Sequence, residues 1–464
     1  MTTTPTPGVP DPTPASGNGS PSMRKVGLAS LLGTTIEFYD FVIFGLAAAL
    51  VFPTVFFPAL GAAAGTVASF ATLGVAFAAR PLGSILFGHF GDRLGRKKTL
   101  VATLLLMGFA TLVVGLVPSA DYIGVAAPIS IVLMRILQGV AAGGEWAGAT
   151  LFSSEYAPKS SRAFWSNLPS VGGACGTSLA SATYLAISLS MSTEAFLSWG
   201  WRIPFISSVV LVGFSLWVRL TIDETPVFRK EKSQSGVVRV PFAEALRNQP
   251  KAIFLASGMV VAIYAVHYSA SAYLVSYATA ILDLTRTQVL AVGIGSGMAM
   301  IAGQMVGVYF ADRIGRRKIM LTAYGIETIW VLALFPIINV NTLWAFAIGV
   351  WGTLFINSVA TGPLGAFLSE TFETRYRYTA IGFCYNIAGV LGGAIPPLIA
   401  AGIIAAYGTT VYGLILAGIV LVSWACVWGL SETRHVDLDA PNSDLAATGR
   451  GSNDTAGTEV GRRT

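Results

Sequence analysis

Charge is scarce in this sequence. Only 11% of its 464 residues are Asp, Glu, Lys or Arg, while 54% are hydrophobic, and the mean hydropathy is +0.67. A soluble protein of this length needs a much larger polar surface. Many windows of about 20 residues carry few or no charges, and this is the length that a helix needs to cross a bilayer. The shortage of charge excludes a soluble globular protein and predicts an all-α membrane protein.

Cysteine and histidine are also rare, with 3 of each in the chain. Cys175, Cys384 and Cys426 all lie in apolar runs, as small core residues do, so we expect no disulfide framework. Scattered histidines exclude a His/Cys metal cluster, and the spans contain no Ser/Lys dyad or zinc-ligand pattern. We therefore expect no metal, no cofactor and no enzymatic activity.

Apolar runs and polar breaks divide the chain into twelve predicted spans. They run roughly over 26–52, 66–90, 98–117, 125–154, 163–189, 200–221, 251–281, 287–311, 317–338, 342–370, 378–406 and 408–430. Residues 26–222 and 251–431 form two halves of six spans each, joined by a polar linker at 223–250. Residues 1–25 and 432–464 have the low-complexity composition of disordered tails.

Basic residues are concentrated in alternate loops. If both termini are cytoplasmic, most loop lysines and arginines lie inside, and only Arg202 and Arg286 fall outside. Such a bias follows the positive-inside rule. The net charge of +6 therefore indicates topology and contact with anionic lipid, not a nucleic-acid partner. We expect a multi-pass protein of the cell membrane with both termini in the cytoplasm.

One basic phrase occurs twice. GDRLGRKK (Gly91–Lys98) and ADRIGRRK (Ala311–Lys318) lie about 220 residues apart, and each follows the second span of its half. An acidic and a basic residue separated by seven positions also recur after the fourth span of each half: Glu155 with Arg162, and Glu370 with Arg377. The halves are therefore predicted to be parallel repeats of one six-helix unit, an organisation typical of secondary transporters.

These loops resemble the loop signature of the major facilitator superfamily, and the resemblance extends from Val26 to Thr433. More specific motifs resemble its metabolite:proton symporter branch: GTTIEFYDFVIFG (Gly33–Gly45), RPLGSILFGHFGDRLGRKK (Arg80–Lys98), RILQGVAAGGEWAG (Arg135–Gly148), WGWRIPF (Trp199–Phe205) and DETPVF (Asp223–Phe228). That branch includes carriers of shikimate, α-ketoglutarate, citrate, dicarboxylates, and proline or betaine, with shikimate permeases as the closest likeness. The resemblance implies a bacterial protein with twelve transmembrane helices in the major facilitator fold.

The resemblance also implies a cytoplasmic gating network that holds the outward-facing state. Its predicted members are Asp92, Arg93, Arg96, Glu155, Arg162, Asp312, Arg313, Arg316, Glu370 and Arg377. The alternative is a positive cluster that only sets topology. Both copies carry an aspartate, which contributes little to topology, and this favours the gating role.

Two acids and one arginine lie deep inside predicted spans. Asp40 is about 21 Å along the first span and Arg135 about 16 Å into the fourth, so the two are expected at matching depth and to form an ion pair. Glu37 shares a helix face with Asp40. A purely structural pair is the alternative, although apolar residues would often be as stable. We predict that Asp40 and Glu37 couple protons and that Arg135 binds substrate.

Other polar residues inside the spans are weaker substrate-binding candidates. Gln138 lies on one stripe with Arg135, and Arg80 precedes Pro81 midway along the second span, where packing against the acids is its alternative role. Tyr264, His267 and Tyr268 share a face of the seventh span, although a lone histidine is more often structural. Asn386 completes the set. Glu145 and Glu327 are left without an assigned role.

These residues predict a proton-coupled symporter that imports a small carboxylate by alternating access. An anion that enters a negative cytoplasm works against about 2.3 kcal/mol per charge per 100 mV, and protons cancel that charge. A proline/betaine osmolyte symporter is the nearest alternative, although the C-terminal tail lacks heptads. A drug:proton antiporter is a further alternative. The expected partners are an organic acid, protons and lipid, with the protein itself a monomer.

Overall fold

The computed structural model describes residues 23–94, 96–221, 241–373, 376–434 and 436. Most of the linker and of both tails lies outside the described residues. The side chains of Asp92, Arg93, Arg96 and Glu155, which belong to the predicted gating network, also lie outside the described part.

The first half contains six spanning helices close to the predicted ones. They are α1 (Met23–Leu50), α2 (Gly61–Leu94), α3 (Arg96–Leu116), α4 in two parts (Ala126–Ala142 and Glu145–Tyr156), α5 (Leu168–Ser190) and α6 (Ile203–Thr221). Short helical turns in the connections lie at Phe52–Val55, Pro58–Leu60, Ala120–Ile123, Lys159–Ser161, Arg162–Ser166, Thr193–Ser198 and Gly200–Arg202.

The second half repeats the pattern after a linker helix, Pro241–Asn248. Its spanning helices are α7 (Pro250–Tyr268, Ser269–Tyr273 and Leu274–Ala280), α8 (Arg286–Ile314), α9 (Arg316–Ile338), α10 (Leu343–Thr361 and Leu364–Thr371), α11 (Arg377–Ala388, Gly389–Ala394 and Ile395–Tyr407) and α12 (Thr409–Trp428). The middle pieces of α7 and α11 are π-helical turns. The prediction of an all-α, twelve-helix membrane protein is confirmed.

The two halves break their helices at corresponding places. In α4 the break falls at Gly143 and Gly144, and in α10 it falls at Gly362 and Pro363. Between α8 and α9, Gly315 has a φ of 113°, which a residue with a Cβ rarely adopts. The glycine in the basic phrase thus permits the tight turn between two spanning helices.

Small residues let α5 pack closely on both α1 and α8. A Cβ on Gly176 would lie 2.6 Å from the backbone oxygen of Thr35 in α1. On the other side, the Ser178 hydroxyl donates a 2.7 Å hydrogen bond to the carbonyl of Ile294 in α8. Close backbone approach through glycine and serine is typical of helix packing in membranes, so α5 joins the two halves.

Helices α3, α6, α9 and α12 form the outside of the bundle. Each exposes large apolar side chains: Phe109 at 57%, Trp217 at 63%, Ile329 at 72% and Trp428 at 63%. In the part of the chain that is described, ten stretches are long and apolar enough to cross a membrane, and Val101–Leu116 is a shorter apolar helix. Exposed apolar surface of this extent fits contact with lipid tails. We name the end where α1 begins the motif end, because both basic loops lie there, and the opposite end the far end.

We predict that Gly176→Ala destabilises the protein by about 1–3 kcal/mol, because an added methyl group overpacks a tight contact. The backbone of α1 must move, since the new Cβ meets main-chain atoms. Equilibrium unfolding in mixed micelles measures the change. Gly213→Ala in α6 is the matched control, because a Cβ there has no neighbour within 4 Å. Equal stability of the two variants would contradict the close α1–α5 contact.

Candidate functional site

A group of charged and polar side chains is buried where α1, α2 and α4 meet. Asp40 is 1% exposed, Arg135 is 0% exposed and Gln138 is 1% exposed. Glu37 and Arg80 are also buried. Burying so many ionisable groups in a membrane protein is costly unless neighbours satisfy them, and such groups therefore mark functional sites.

A chain of hydrogen bonds links Asp40 to Arg135. Thr111 Oγ1 donates to Asp40 Oδ2 at 3.0 Å, and Gln138 Nε2 donates to Thr111 Oγ1 at 2.7 Å. Arg135 Nη1 then donates to Gln138 Oε1 at 2.7 Å. We call this chain of four residues the relay. It brings a residue of α3, Thr111, into a site that the sequence assigned to α1 and α4 alone.

The direct ion pair expected between Asp40 and Arg135 is wrong for this structure. Both side chains are described, and Thr111 and Gln138 stand between them. Asp40 accepts from a hydroxyl instead of the guanidinium, and Gln138 uses its amide oxygen to hold Arg135. The reason is the position of α3, which brings the Thr111 hydroxyl within hydrogen-bond distance of the Asp40 carboxylate. Depth along the helices could not predict that contact.

Aromatic rings stabilise both buried guanidinium groups. The Arg135 guanidinium carbon lies 3.8 Å from the ring centre of Phe44 and 5.0 Å from that of Phe41. Arg80 lies 4.2 Å from Phe41 and 4.9 Å from Phe77. Cation–π attraction of this kind strengthens when water is excluded. The two arginines therefore share one phenylalanine, and Glu37 is near enough to Arg80 for their charges to interact.

Tyrosines of the second half face these arginines. Arg80 Nη1 donates to the Tyr264 hydroxyl at 3.4 Å. Tyr264 stacks on Tyr268 with ring centres 6.0 Å apart, and Phe77 of α2 meets Tyr268 edge-on at 4.9 Å. The predicted face of α7 is thus in contact with the site. His267 is buried beside Tyr268, with ring centres 5.0 Å apart.

A stacked aromatic pair and an amide join α4 to α11 on the motif side of the relay. The rings of Trp146 and Tyr385 stack with centres 3.6 Å apart, and Tyr385 also contacts the Tyr264 ring at 5.0 Å. Asn386 Nδ2 donates to the Gly143 carbonyl at 2.6 Å, at the break in α4. Asn386 therefore holds the halves together through the backbone oxygen that the break exposes.

Sequence reasoning missed several residues of this site. The missed aromatic and hydroxyl side chains are Phe41, Phe44, Phe77, Thr111, Trp146 and Tyr385. A signal was present for three of them, because Phe41, Trp146 and Tyr385 are direct sequence neighbours of Asp40, Glu145 and Asn386. Thr111 and Phe77 lie in uncharged helical stretches that offered no signal.

Glu370 is the centre of the described network at the motif end. Its Oε1 accepts from Arg162 Nη1 at 3.1 Å and from Arg316 Nη2 at 3.3 Å, while Arg316 Nε lies 3.2 Å from Oε2. Arg316 also pairs with Asp312 at 3.2 Å. Arg162 belongs to the first half and Glu370 to the second, so this network ties the halves together.

The two remaining described members of the predicted network, Arg313 and Arg377, also contact groups in their own half. Arg313 lies over the ring of Tyr309 at 3.6 Å, on its own helix. Arg377 Nε donates to the Phe372 carbonyl at 3.0 Å. The sequence missed Glu432, which accepts from the backbone N–H groups of Arg316 and Arg317 at 2.9 and 3.1 Å and so caps α9.

The halves are also in contact at the far end. Arg286 Nε, at the start of α8, donates to the Ser188 hydroxyl of α5 at 2.7 Å, and its guanidinium lies 3.8 Å from the ring of Phe196. Contacts between the halves are therefore present at both ends of the bundle, and the relay lies between them.

Both halves match known families. The family described as "Sugar (and other) transporter" matches residues 26–251, and the family described as "Major Facilitator Superfamily" matches residues 264–449. The crystal structure of a D-xylose-proton symporter superposes with a TM-score of 0.72 at 15% identity, covering 89% of this chain and 99% of that one. That likeness supports the twelve-helix fold.

Curated relatives are similar over most of their length. An Escherichia coli inner membrane metabolite transport protein, YhjE, is 40% identical, covering 90% of this chain and 96% of its own. The E. coli shikimate transporter is 38% identical, covering 82% of this chain and 88% of its own. An E. coli proline/betaine transporter is 33% identical, covering 82% and 77%. The chain is therefore a multi-pass membrane transporter that belongs to the major facilitator superfamily, in the branch that contains these metabolite carriers.

Proposed function

We propose that this transporter is a proton-coupled symporter that imports a small carboxylate metabolite, with a shikimate-like acid or a di- or tricarboxylate as substrate. The observation that carries the proposal is the relay from Asp40 through Thr111 and Gln138 to Arg135. It connects a group that can take up a proton to a group that can bind a carboxylate. The similarity to the shikimate transporter supports the substrate class.

Arg135 has the donors that a carboxylate requires. Its Nη1 is held by Gln138, whereas Nε and Nη2 are buried and make no hydrogen bond within the described chain. Nε and Nη2 form one edge of the guanidinium, and that edge binds a carboxylate through two parallel hydrogen bonds. The Nε of Arg80 is also buried and makes no hydrogen bond within the described chain, so it offers a further donor for a second acidic group.

The relay supplies a route for coupling. While Asp40 is ionised, it accepts from Thr111, which in turn accepts from Gln138. A proton on Asp40 removes the charge that orients the Thr111 hydroxyl, and the Gln138 amide then loses its fixed partner. The positive charge of Arg135 is then no longer offset by Asp40, and its free Nε–Nη2 edge binds the substrate carboxylate more strongly. This mechanism replaces direct competition between Asp40 and the substrate for Arg135.

Alternating access then moves the site between the two faces of the membrane. The Glu370 network closes the motif end, and the Arg286–Ser188 contact closes the far end. We assign the motif end to the cytoplasm of a bacterial cell, because the basic loops are concentrated there. In this orientation, breaking the bonds of Glu370 opens the site inward and releases the substrate.

A proline/betaine-type osmolyte symporter is the second candidate. One observation favours it: Trp146, Tyr385 and Tyr264 place three rings in contact beside the arginines. Aromatic faces attract quaternary ammonium groups, and a betaine also carries a carboxylate for Arg135. A thermal-shift panel of small carboxylates, betaines and lipophilic cations separates the candidates, since the substrate class alone should raise the melting temperature.

Asp40→Asn should separate exchange from accumulation. The amide can still accept from Thr111, but it cannot take up a proton, so binding survives and coupling is lost. In proteoliposomes, counterflow exchange of the substrate should continue while uptake driven by a pH gradient stops. Asp121→Asn, at an exposed residue of the far end, is the control and should retain both exchange and gradient-driven accumulation. Gradient-driven accumulation by Asp40→Asn would refute the assignment of Asp40.

Arg135→Lys should weaken substrate binding by about 10- to 100-fold. The lysine keeps the positive charge but loses the two-pronged edge, and a charge-assisted hydrogen bond contributes about 1.5–3 kcal/mol. Titration calorimetry with the carboxylate that gives the largest thermal shift measures the change. Arg202→Lys at the far end serves as the control. Unchanged affinity in Arg135→Lys would show that the carboxylate binds elsewhere.

Glu370→Gln should favour opening at the motif end, because the amide cannot pair with Arg162 and Arg316 together. The probe is a cysteine at Ser154, which is buried and 3.0 Å from the Ser369 hydroxyl, in a protein whose native cysteines are serine. Its alkylation by a membrane-impermeant maleimide should accelerate at least several-fold. Glu373→Gln, a nearby carboxylate outside the network, is the control. Equal alkylation rates in both variants would argue against a latch at Glu370.

A further inference from the structure

Glu327 is a fully buried acid that the relay does not use. Its side chain on α9 is 0% exposed. Glu327 is about 17 Å along the helix from Arg316, which places it near the middle of the membrane. It faces α10, inside the second half, where Asn357 Nδ2 donates to its Oε1 at 2.8 Å. The inter-half site contains neither residue.

The second oxygen of Glu327 is the unusual atom. Oε2 is buried and has no hydrogen-bond partner among the described residues. Asn357 is neutral, so its single hydrogen bond does not neutralise a carboxylate. No described lysine, arginine or histidine forms an ion pair with Glu327. An ionised carboxylate in such surroundings is strongly disfavoured relative to the neutral acid.

The charged groups of the surrounding helices lie at the two ends of the bundle. On α9 itself and on α8 and α10, the described ones are Arg316, Arg317, Lys318, Asp312, Arg313 and Glu370 at the motif end and Arg286 at the far end. The titratable neighbour is Tyr324, whose hydroxyl donates to the Met259 carbonyl of α7 at 2.6 Å, and Tyr324 in turn lies near Cys426 of α12. Neither supplies positive charge to Glu327.

A metal cation does not fit this position. A metal ion needs several ligands, and the described residues contain no group of three or more His, Cys, Asp or Glu side chains that could hold one. Asn357 contacts Glu327 through its Nδ2 donor, which cannot ligate a cation. A proton requires only the open carboxylate oxygen.

We propose that Glu327 and Asn357 form a second proton-binding site, in which a proton from water binds Glu327 Oε2 and Asn357 fixes the other oxygen. The site lies within one half of the transporter and is separate from the relay. It holds Glu327 as a neutral carboxylic acid at physiological pH.

The test compares the unmodified protein with Glu327→Gln, an uncharged side chain of the same shape. If the folded protein holds a proton that the unfolded chain releases, stability must fall as pH rises. The unfolding equilibrium constant of the unmodified protein should therefore rise up to about tenfold more per pH unit between pH 5 and 8 than that of E327Q. Glu194→Gln, at an exposed site, is the control and should keep the pH slope of the unmodified protein.

Infrared spectroscopy gives a second readout. The unmodified protein at pH 7 should show a carbonyl band of a protonated carboxylic acid that shifts in D2O and is lost in E327Q. Should E327Q fail to fold, Glu327→Asp keeps the acid and should move the band without removing it. The proposal would be overturned if the unfolding equilibrium constants of E327Q and the unmodified protein depended equally on pH. It would also be overturned if neither Glu327→Gln nor Glu327→Asp changed the carbonyl band. Neither measurement involves transport, so the outcome is independent of the role of Asp40.

Discussion

Two guanidinium groups, those of Arg80 and Arg135, are buried with their central carbons 4.2 and 5.0 Å from the ring centre of Phe41. A full charge inside a membrane protein is tolerated only where fixed dipoles and rings replace water. Phe44, Phe77, Gln138 and the Tyr264 hydroxyl do this here. Their positions depend on α1, α2, α4 and α7 all reaching the same point, so the site is built by both halves together.

The repeated halves have come to supply different chemistry. The first half contributes the relay, on α1, α3 and α4, together with Glu37 of α1 and Arg80 of α2. The second half contributes the rings of Tyr264, Tyr268 and Tyr385, together with the π-helical turns in α7 and α11. Such turns are frequent at functional sites. In α11 three of the six residues of the turn are glycines, and a Cβ on Gly393 would lie 2.9 Å from the Phe77 ring of the opposite half.

The sequence was sufficient to predict the architecture, since hydrophobic runs, basic loops and a repeated phrase each report a local property. The ends of α8 and α9 lie within a few residues of their predicted ends. The side-chain contacts between helices were harder to predict from the sequence. Depth along a helix placed Asp40 and Arg135 level, but the rotation of each helix and the position of α3 decide which atoms meet. Thr111 entered the site because its helix packs there, and a threonine in an apolar run gives no such signal. The Glu370 network was easier, because its charges recur at fixed spacing in both halves.

The segment after α12 is attached to both halves at once. Thr433 Oγ1 donates to Glu370 Oε2 at 2.7 Å, Arg162 Nη1 donates to the Val436 carbonyl at 3.2 Å, and Glu432 caps α9. Any separation of the halves at this end must also peel the segment away from Arg162. The residues that follow the last helix therefore contribute to the closure of this end, and opening it requires their hydrogen bonds to break as well.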